Sequence, residues 1–128
     1  VNNFILNQLL SMQEDLHNGI ARGRKKAAIG LHDLNAIEFP LRYNTRAQNE
    51  SFIPLDQTRP FKFTEILSDL EVGKKYSSLL KNFNQYPTIA DSSNQILSFP
   101  PIINSNTTKI NEKSNNLLFF VFLYFNFL

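Results

Sequence analysis

The sequence contains no cysteine. That excludes disulfides, thiolate metal sites and cysteine nucleophiles. Histidine is nearly as scarce. His17 and His32 are the only two, and without cysteine or a third ligand at metal-binding spacing no metal site is expected. No Ser-His-Asp or Cys-His arrangement suggests nucleophilic catalysis either. Charge of one sign is also lacking: a net charge of +2 is too small to demand a polyanionic partner. No basic stretch leading into an apolar one opens the chain, so secretion is not expected. The longest apolar run, Leu117–Leu128, is too short to cross a bilayer as a helix. At 128 residues the chain amounts to one domain with a modest core.

The densest stretch is Ile96–Ile110, ILSFPPIINSNTTKI. Two adjacent prolines hold φ near −65° and remove two backbone donors. Apolar pairs flank them, Ile96-Leu97 before and Ile102-Ile103 after. Asn104, Ser105, Thr107 and Thr108 then supply short polar side chains. The pattern reads as a strand ending in a rigid elbow, followed by a polar loop. Such an elbow either simply ends the strand or lines a pocket.

The rest of the chain alternates helix and strand. Ile5, Leu9, Met12, Leu16 and Ile20 share one helical face, with Leu6 and Leu10 widening it and Gly23 as a C-cap. Arg22, Arg24, Lys25 and Lys26 follow at the helix end, as solvated surface or as phosphate contacts. Ala27–Leu31 reads as a buried strand. His32-Asp33 then begins a turn or short helix, where Asp33 serves as well for a cap as for a dyad. Phe39–Tyr43 and Ser51–Leu55 read as strands around the polar loop Asn44–Glu50. Thr64 caps a helix starting at Glu65 and broken by Gly73. Lys74–Phe83 makes another helix, and Tyr86–Ala90 and Gln95–Ser98 form strands joined by a turn at Asp91–Asn94. The strands Ala27–Leu31, Tyr86–Ala90 and Gln95–Ser98 are expected to share one sheet.

The run ADSSNQILSFPPIINS, Ala90–Ser105, with Thr108-Lys109-Ile110 behind it, closely resembles the phenylalanyl-tRNA synthetase β-subunit family of archaeal and eukaryotic cytosolic type. Leu16-His17-Asn18, Arg22, Arg24 and Ala28–Leu34 match in order and spacing, as does Pro54–Thr58. The resemblance runs from about Leu10 to Ile110 and covers only a small part of such a subunit. It implies an α+β fold: a mixed sheet with a long N-terminal helix, the incomplete editing domain of that subunit. Residues 1–116 would be the partial editing domain. Residues 117–128 would be a phenylalanine-rich tail outside the family pattern, dispensable for folding and an aggregation hazard.

The resemblance also implies a function. The parent would be a cytoplasmic, ATP- and magnesium-dependent ligase that joins phenylalanine to tRNA(Phe), an α₂β₂ heterotetramer whose synthetic site lies on the other subunit. This segment would belong to the module that hydrolyses tyrosyl-tRNA(Phe). Its pocket would draw on Leu97, Ser98, Pro100 and Asn104, and tRNA on Arg22, Arg24, Lys25 and Lys26. A positioned water and an oxyanion stabiliser suffice for such hydrolysis, so no catalytic side chain, cofactor, metal or membrane is expected. The family's acidic, threonine-bearing strand is absent here, so the chain alone is expected to be inactive. The alternative is a standalone RNA- or protein-binding module of the same fold without hydrolysis.

Overall fold

The computed structural model describes residues 2–123. They divide into two units, one formed by residues 2–36 and 110–123, the other by Ile37–Lys109. This differs from the division expected at residue 116, because the C-terminal segment pairs with the N-terminal one. The α+β class is the one expected; every strand pairing among the described residues is antiparallel.

In the first unit, α1 runs Asn3–Asn18. The Asn2 side chain caps it, accepting the Ile5 N–H at 2.9 Å, and Gly19 closes it by donating to the Asp15 carbonyl. The C-cap is therefore Gly19. Gly23 instead sits in a left-handed turn, at φ 62°, between Arg22 and Arg24, which are also left-handed. Leu6, Leu9 and Leu16 are half-buried, whereas Ile20 lies beyond the helix and is 84% exposed. The residue that α1 buries is His17.

Strand β1, Ala27–Asp33, pairs along its whole length with β8, Leu117–Leu123, from Ala27 opposite Leu123 to Asp33 opposite Leu117. The supposed tail is thus, through Leu123, a strand of the fold; its remaining residues lie outside the described ones. Alternation is hidden in the sequence because β8 is apolar on both faces. One face packs and the other, with Phe119, Val121 and Leu123, is half-exposed. Gly30 has a specific reason to be glycine: a Cβ there would lie 3.0 Å from the Phe120 ring and 3.1 Å from His32 Nε2.

In the second unit, β2 (Arg42–Arg46), β5 (Tyr86–Ala90), β6 (Ile96–Phe99) and β7 (Ile103–Asn104) form a four-stranded sheet in the order β2-β5-β6-β7. The single sheet expected for Ala27–Leu31, Tyr86–Ala90 and Gln95–Ser98 is therefore two sheets. β3 (Ser51–Phe52) and β4 (Phe61–Lys62) make a short ribbon. Helices α2 (Phe63–Asp69) and α3 (Glu71–Tyr76) follow, then a 3₁₀ turn at Ser77–Leu80.

The core of this unit gathers around Phe63, whose ring lies 4.7 Å from Phe99, 5.6 Å from Phe52 and 6.1 Å from Tyr86. Edge-on and tilted ring pairs at such distances add to area burial. Glu65, not Thr64, caps α2, by accepting the Lys62 N–H at 2.9 Å. The break between helices falls at Leu70. Gly73 lies inside α3, where a Cβ would come 1.8 Å from the Ile66 carbonyl oxygen, so its role is close helix packing rather than helix breaking.

Candidate functional site

The two hairpins of the four-stranded sheet determine what its face presents. Between β5 and β6, Asp91 organises the turn. Its carboxylate accepts hydrogen bonds from the Ser93 hydroxyl (2.7 Å) and amide, the Gln95 backbone N–H and side-chain amide, and the Glu38 N–H. Burial raises its pKa, but the hydrogen bonds from Ser93, Glu38 and Gln95 outweigh burial and hold it at about 2. Asn94 takes the left-handed position, at φ 66°, which Asn tolerates well. Between β6 and β7 the Pro-Pro elbow is a tight turn closed by Ile102 N–H on the Phe99 carbonyl at 2.8 Å.

These turns place Ser98 between two neighbours. Ile89 of β5 lies opposite it on one side and Asn104 of β7 on the other, and Tyr43 of β2 lies opposite Ile89. Directly opposed residues of an antiparallel pair point to one face, about 5 Å apart at Cα. Tyr43, Ile89, Ser98 and Asn104 therefore form a row across all four strands. Ser98 is 3% exposed, Asn104 is half-buried, and Tyr43 is exposed. A hydroxyl and a primary amide, each both donor and acceptor, stand side by side. Among the described residues neither side chain has a hydrogen-bond partner.

Of the four pocket residues expected from sequence, the structure thus brings Ser98 and Asn104 together. Leu97 and Pro100 stand outside the row. Leu97 is the extra residue of a bulge, since Ala90 pairs with Ile96 and Ile89 with Ser98. It is fully buried, and its carbonyl accepts the Ser105 N–H at 2.8 Å. Pro100 is buried in the turn. The polar loop behind β7 is laced to Ile53–Asp56: Asn106 donates to the Ile53 carbonyl, its side chain accepts the Asp56 N–H at 3.0 Å, and Lys109 pairs with Asp56. Sequence reasoning missed Tyr43 and Ile89, because a cross-strand neighbour leaves no mark in sequence spacing.

The four expected RNA-contacting cations lie in the first unit. Arg22, Lys25 and Lys26 are exposed. Arg24 is engaged by Glu14 at 3.5 Å, which leaves it less available to a phosphate. The His32-Asp33 pair is no dyad. Both residues sit in β1, where successive side chains point to opposite faces. Asp33 accepts from the Ser114 hydroxyl and the Asn35 N–H, both at 3.0 Å. His32 is buried and stacked on Phe120 at 5.0 Å, and burial pushes its pKa down to about 4. His17 accepts the Ile29 N–H at Nε2, 2.8 Å away, leaving Nδ1–H to face Glu14 at 3.4 Å.

No protein-family model matches the chain. The chain is 44% identical over 113 residues to the phenylalanine–tRNA ligase beta subunit of Archaeoglobus fulgidus, covering 88% of this chain and 21% of that protein. It is 48% identical over 113 residues to the corresponding subunit of Methanosphaera stadtmanae, covering 88% of this chain and 20% of that protein. Among solved structures, an N-terminal fragment of the phenylalanyl-tRNA synthetase beta subunit from Pyrococcus horikoshii matches with a TM-score of 0.90 at 33% identity, over 94% of this chain and 35% of that one. The TILS C-terminal domain shares the fold alone, with a TM-score of 0.54 at 17% identity over 77% of this chain and 72% of that one.

Agreement in sequence and fold over nearly the whole chain places it with the subunits of aminoacyl-tRNA ligases. Within that class it belongs to the phenylalanine–tRNA ligase beta subunits, as a segment: the chain spans about a fifth of the length of the curated relatives it matches.

Proposed function

We propose that this chain supplies the tyrosine-recognising wall of a site that hydrolyses tyrosyl-tRNA(Phe), and through that correction serves phenylalanyl-tRNA synthesis in the cytoplasm, in company with the ligase alpha subunit. The observation that carries this reading is the Ser98–Asn104 pair, a hydroxyl and an amide directly opposed on one sheet face.

Tyrosine differs from phenylalanine by one phenolic hydroxyl. A site that hydrogen-bonds that hydroxyl discriminates strongly, because the analogue lacking it leaves buried polar groups unpaired. Asn104 and Ser98 offer that bond. Hydrolysis then requires water to attack the ester carbonyl, the tetrahedral oxyanion to be stabilised, and the ribose oxygen to leave with a proton. The row contains no carboxylate or imidazole to direct that water. ATP and magnesium would serve the ligase reaction of the whole enzyme. Among the described residues no group of three or more His, Cys, Asp or Glu is placed to hold a metal ion, and no step here runs through one.

The test is deacylation of tyrosyl- and phenylalanyl-tRNA(Phe), side by side, by this chain and by a version in which residues 117–128 are replaced by the family's acidic, threonine-bearing strand. The chain itself should stay near the spontaneous rate. The replaced version should hydrolyse tyrosyl-tRNA preferentially, and Ser98→Ala or Asn104→Ala should slow it about tenfold or more. Hydrolysis by the unmodified chain, or a replaced version indifferent to both substitutions, would overturn the reading.

A further inference from the structure

We propose that two copies of this chain associate through the free edge of β8, each strand pairing antiparallel with its counterpart about a two-fold axis at Phe120.

Hydrogen bonding in the β1–β8 ladder determines which backbone groups that edge offers. Opposed residues of an antiparallel pair alternate between bonded and non-bonded. The Ile29 N–H points out of the ladder to His17 Nε2, 2.8 Å away, and the Leu34 N–H bonds the Asn116 carbonyl at 2.9 Å. Ala28, Gly30 and His32 therefore bond Phe122, Phe120 and Leu118, which stand opposite them. The N–H and C=O groups of Leu117, Phe119, Val121 and Leu123 point away from β1. Among the described residues no strand lies beyond β8, and no loop bonds those groups.

A second β8 fits that edge in a symmetric register. With Phe120 on the axis, Leu117 meets the partner's Leu123 and Phe119 meets the partner's Val121. Every outward donor then faces an outward acceptor, and only apolar side chains are opposed. β8 carries no charge and no proline, so nothing on it repels a copy. The Phe119, Val121 and Leu123 side chains, 48%, 46% and 55% exposed, gain apolar neighbours across the axis. Pairing stops at two copies because the other edge of the sheet is taken. There α1 lies against β1, and His17 holds the Ile29 N–H. A self-complementary edge closed in this way makes a dimer rather than a filament. Seven residues of one sheet edge form a strip roughly 24 Å by 10 Å. The pairing thus hides about 500 Å² over both copies, below the ~1,200 Å² of a stable interface. The dimer is therefore weak and grows in with concentration.

The experiment is sedimentation velocity on this 128-residue chain across a concentration series. Monomer should give way to dimer, with nothing larger. Val121→Pro removes one outward N–H and leaves the ladder to β1 intact, and Val121→Lys puts a charge on the edge. Each should raise the dissociation constant about tenfold or more, and Val121→Ile should leave it unchanged. Unchanged thermal unfolding of the Lys variant, at a concentration where the parent is monomeric, shows that the loss is not misfolding. The register has its own test, clean because the chain has no cysteine. Phe119 and the partner's Val121 would stand about 5.5 Å apart at Cα, within disulfide reach. Phe119 and the partner's Phe119 would be more than about 7 Å apart, out of reach. A mixture of Phe119→Cys and Val121→Cys chains should therefore cross-link on mild oxidation faster than either variant alone. The proposal is overturned by a chain that stays monomeric throughout or by species that grow beyond the dimer. It is equally overturned if the Pro and Lys variants associate like the parent, or if either cysteine variant alone cross-links as fast as the mixture.

Discussion

Protonation of His17 would put a second N–H at Nε2, facing the Ile29 N–H that it now accepts. Burial and the nearby Arg24 guanidinium both hold its pKa down, against the opposing pull of Glu14. His32, with its pKa lowered to about 4 by burial, has the larger consequence for stability. The unfolded chain takes up a proton there near pH 6.5 and the native chain only near pH 4, so below 6.5 the unfolded state binds more protons. Stability is therefore full above about pH 6.5 and falls as pH drops towards 4, by about 3 kcal/mol for this group. Urea unfolding followed by circular dichroism from pH 7.5 to 4.5 should show the midpoint falling. His32→Phe should flatten that dependence; a variant as acid-sensitive as the parent would show that His32 is not responsible.

At the scale of the element, β8 is where the reading from sequence and the structure part. A phenylalanine-rich run without visible alternation reads as a tail that can be removed. In the fold its seven residues pair with β1, and Phe120 covers His32. Truncation after Asn116 would strip the ladder from β1 and uncover His32. Each large apolar side chain withdrawn from its burial costs about 1.5–3 kcal/mol. The truncated chain should lose amide-exchange protection throughout Ala27–Asp33 while the strands of the second unit keep theirs. Full protection of β1 in the truncated chain would show that β8 contributes nothing to it. The exposed side chains Phe119, Val121 and Leu123 remain an aggregation hazard in the intact chain, because this apolar strand carries no charge or proline to block edge pairing.

For the molecule as a whole, the second unit holds a core of its own around Phe63, with Ile66, Leu80, Phe99 and Ile102 fully or almost fully buried. Residues 37–109, expressed alone, should unfold cooperatively on heating, with a near-ultraviolet signal from the Phe63, Tyr86 and Phe99 rings. A broad, non-cooperative melt would show that this unit depends on the other. No helix among the described residues is long and apolar enough to cross a membrane.

The sequence by itself determined what nearest neighbours decide. The strand Tyr86–Ala90 has the bounds that its composition predicts, and the turn at Asp91–Asn94 follows from side chains that bond their own backbone. The start of α1 and the Pro-Pro turn are equally local. Helix ends were less legible, because Gly19 and Gly23 both suit a C-cap and only the Asp15 carbonyl selects between them. Tertiary structure alone decided which strands pair. β-propensity says that a segment will find a partner and not which one, since side-chain packing on each face sets the register. Hence β8 found β1 from the far end of the chain, and Tyr43 and Ile89 completed the row that Ser98 and Asn104 begin. The chemistry of that row was visible residue by residue; its existence depended on strands that the sequence keeps apart.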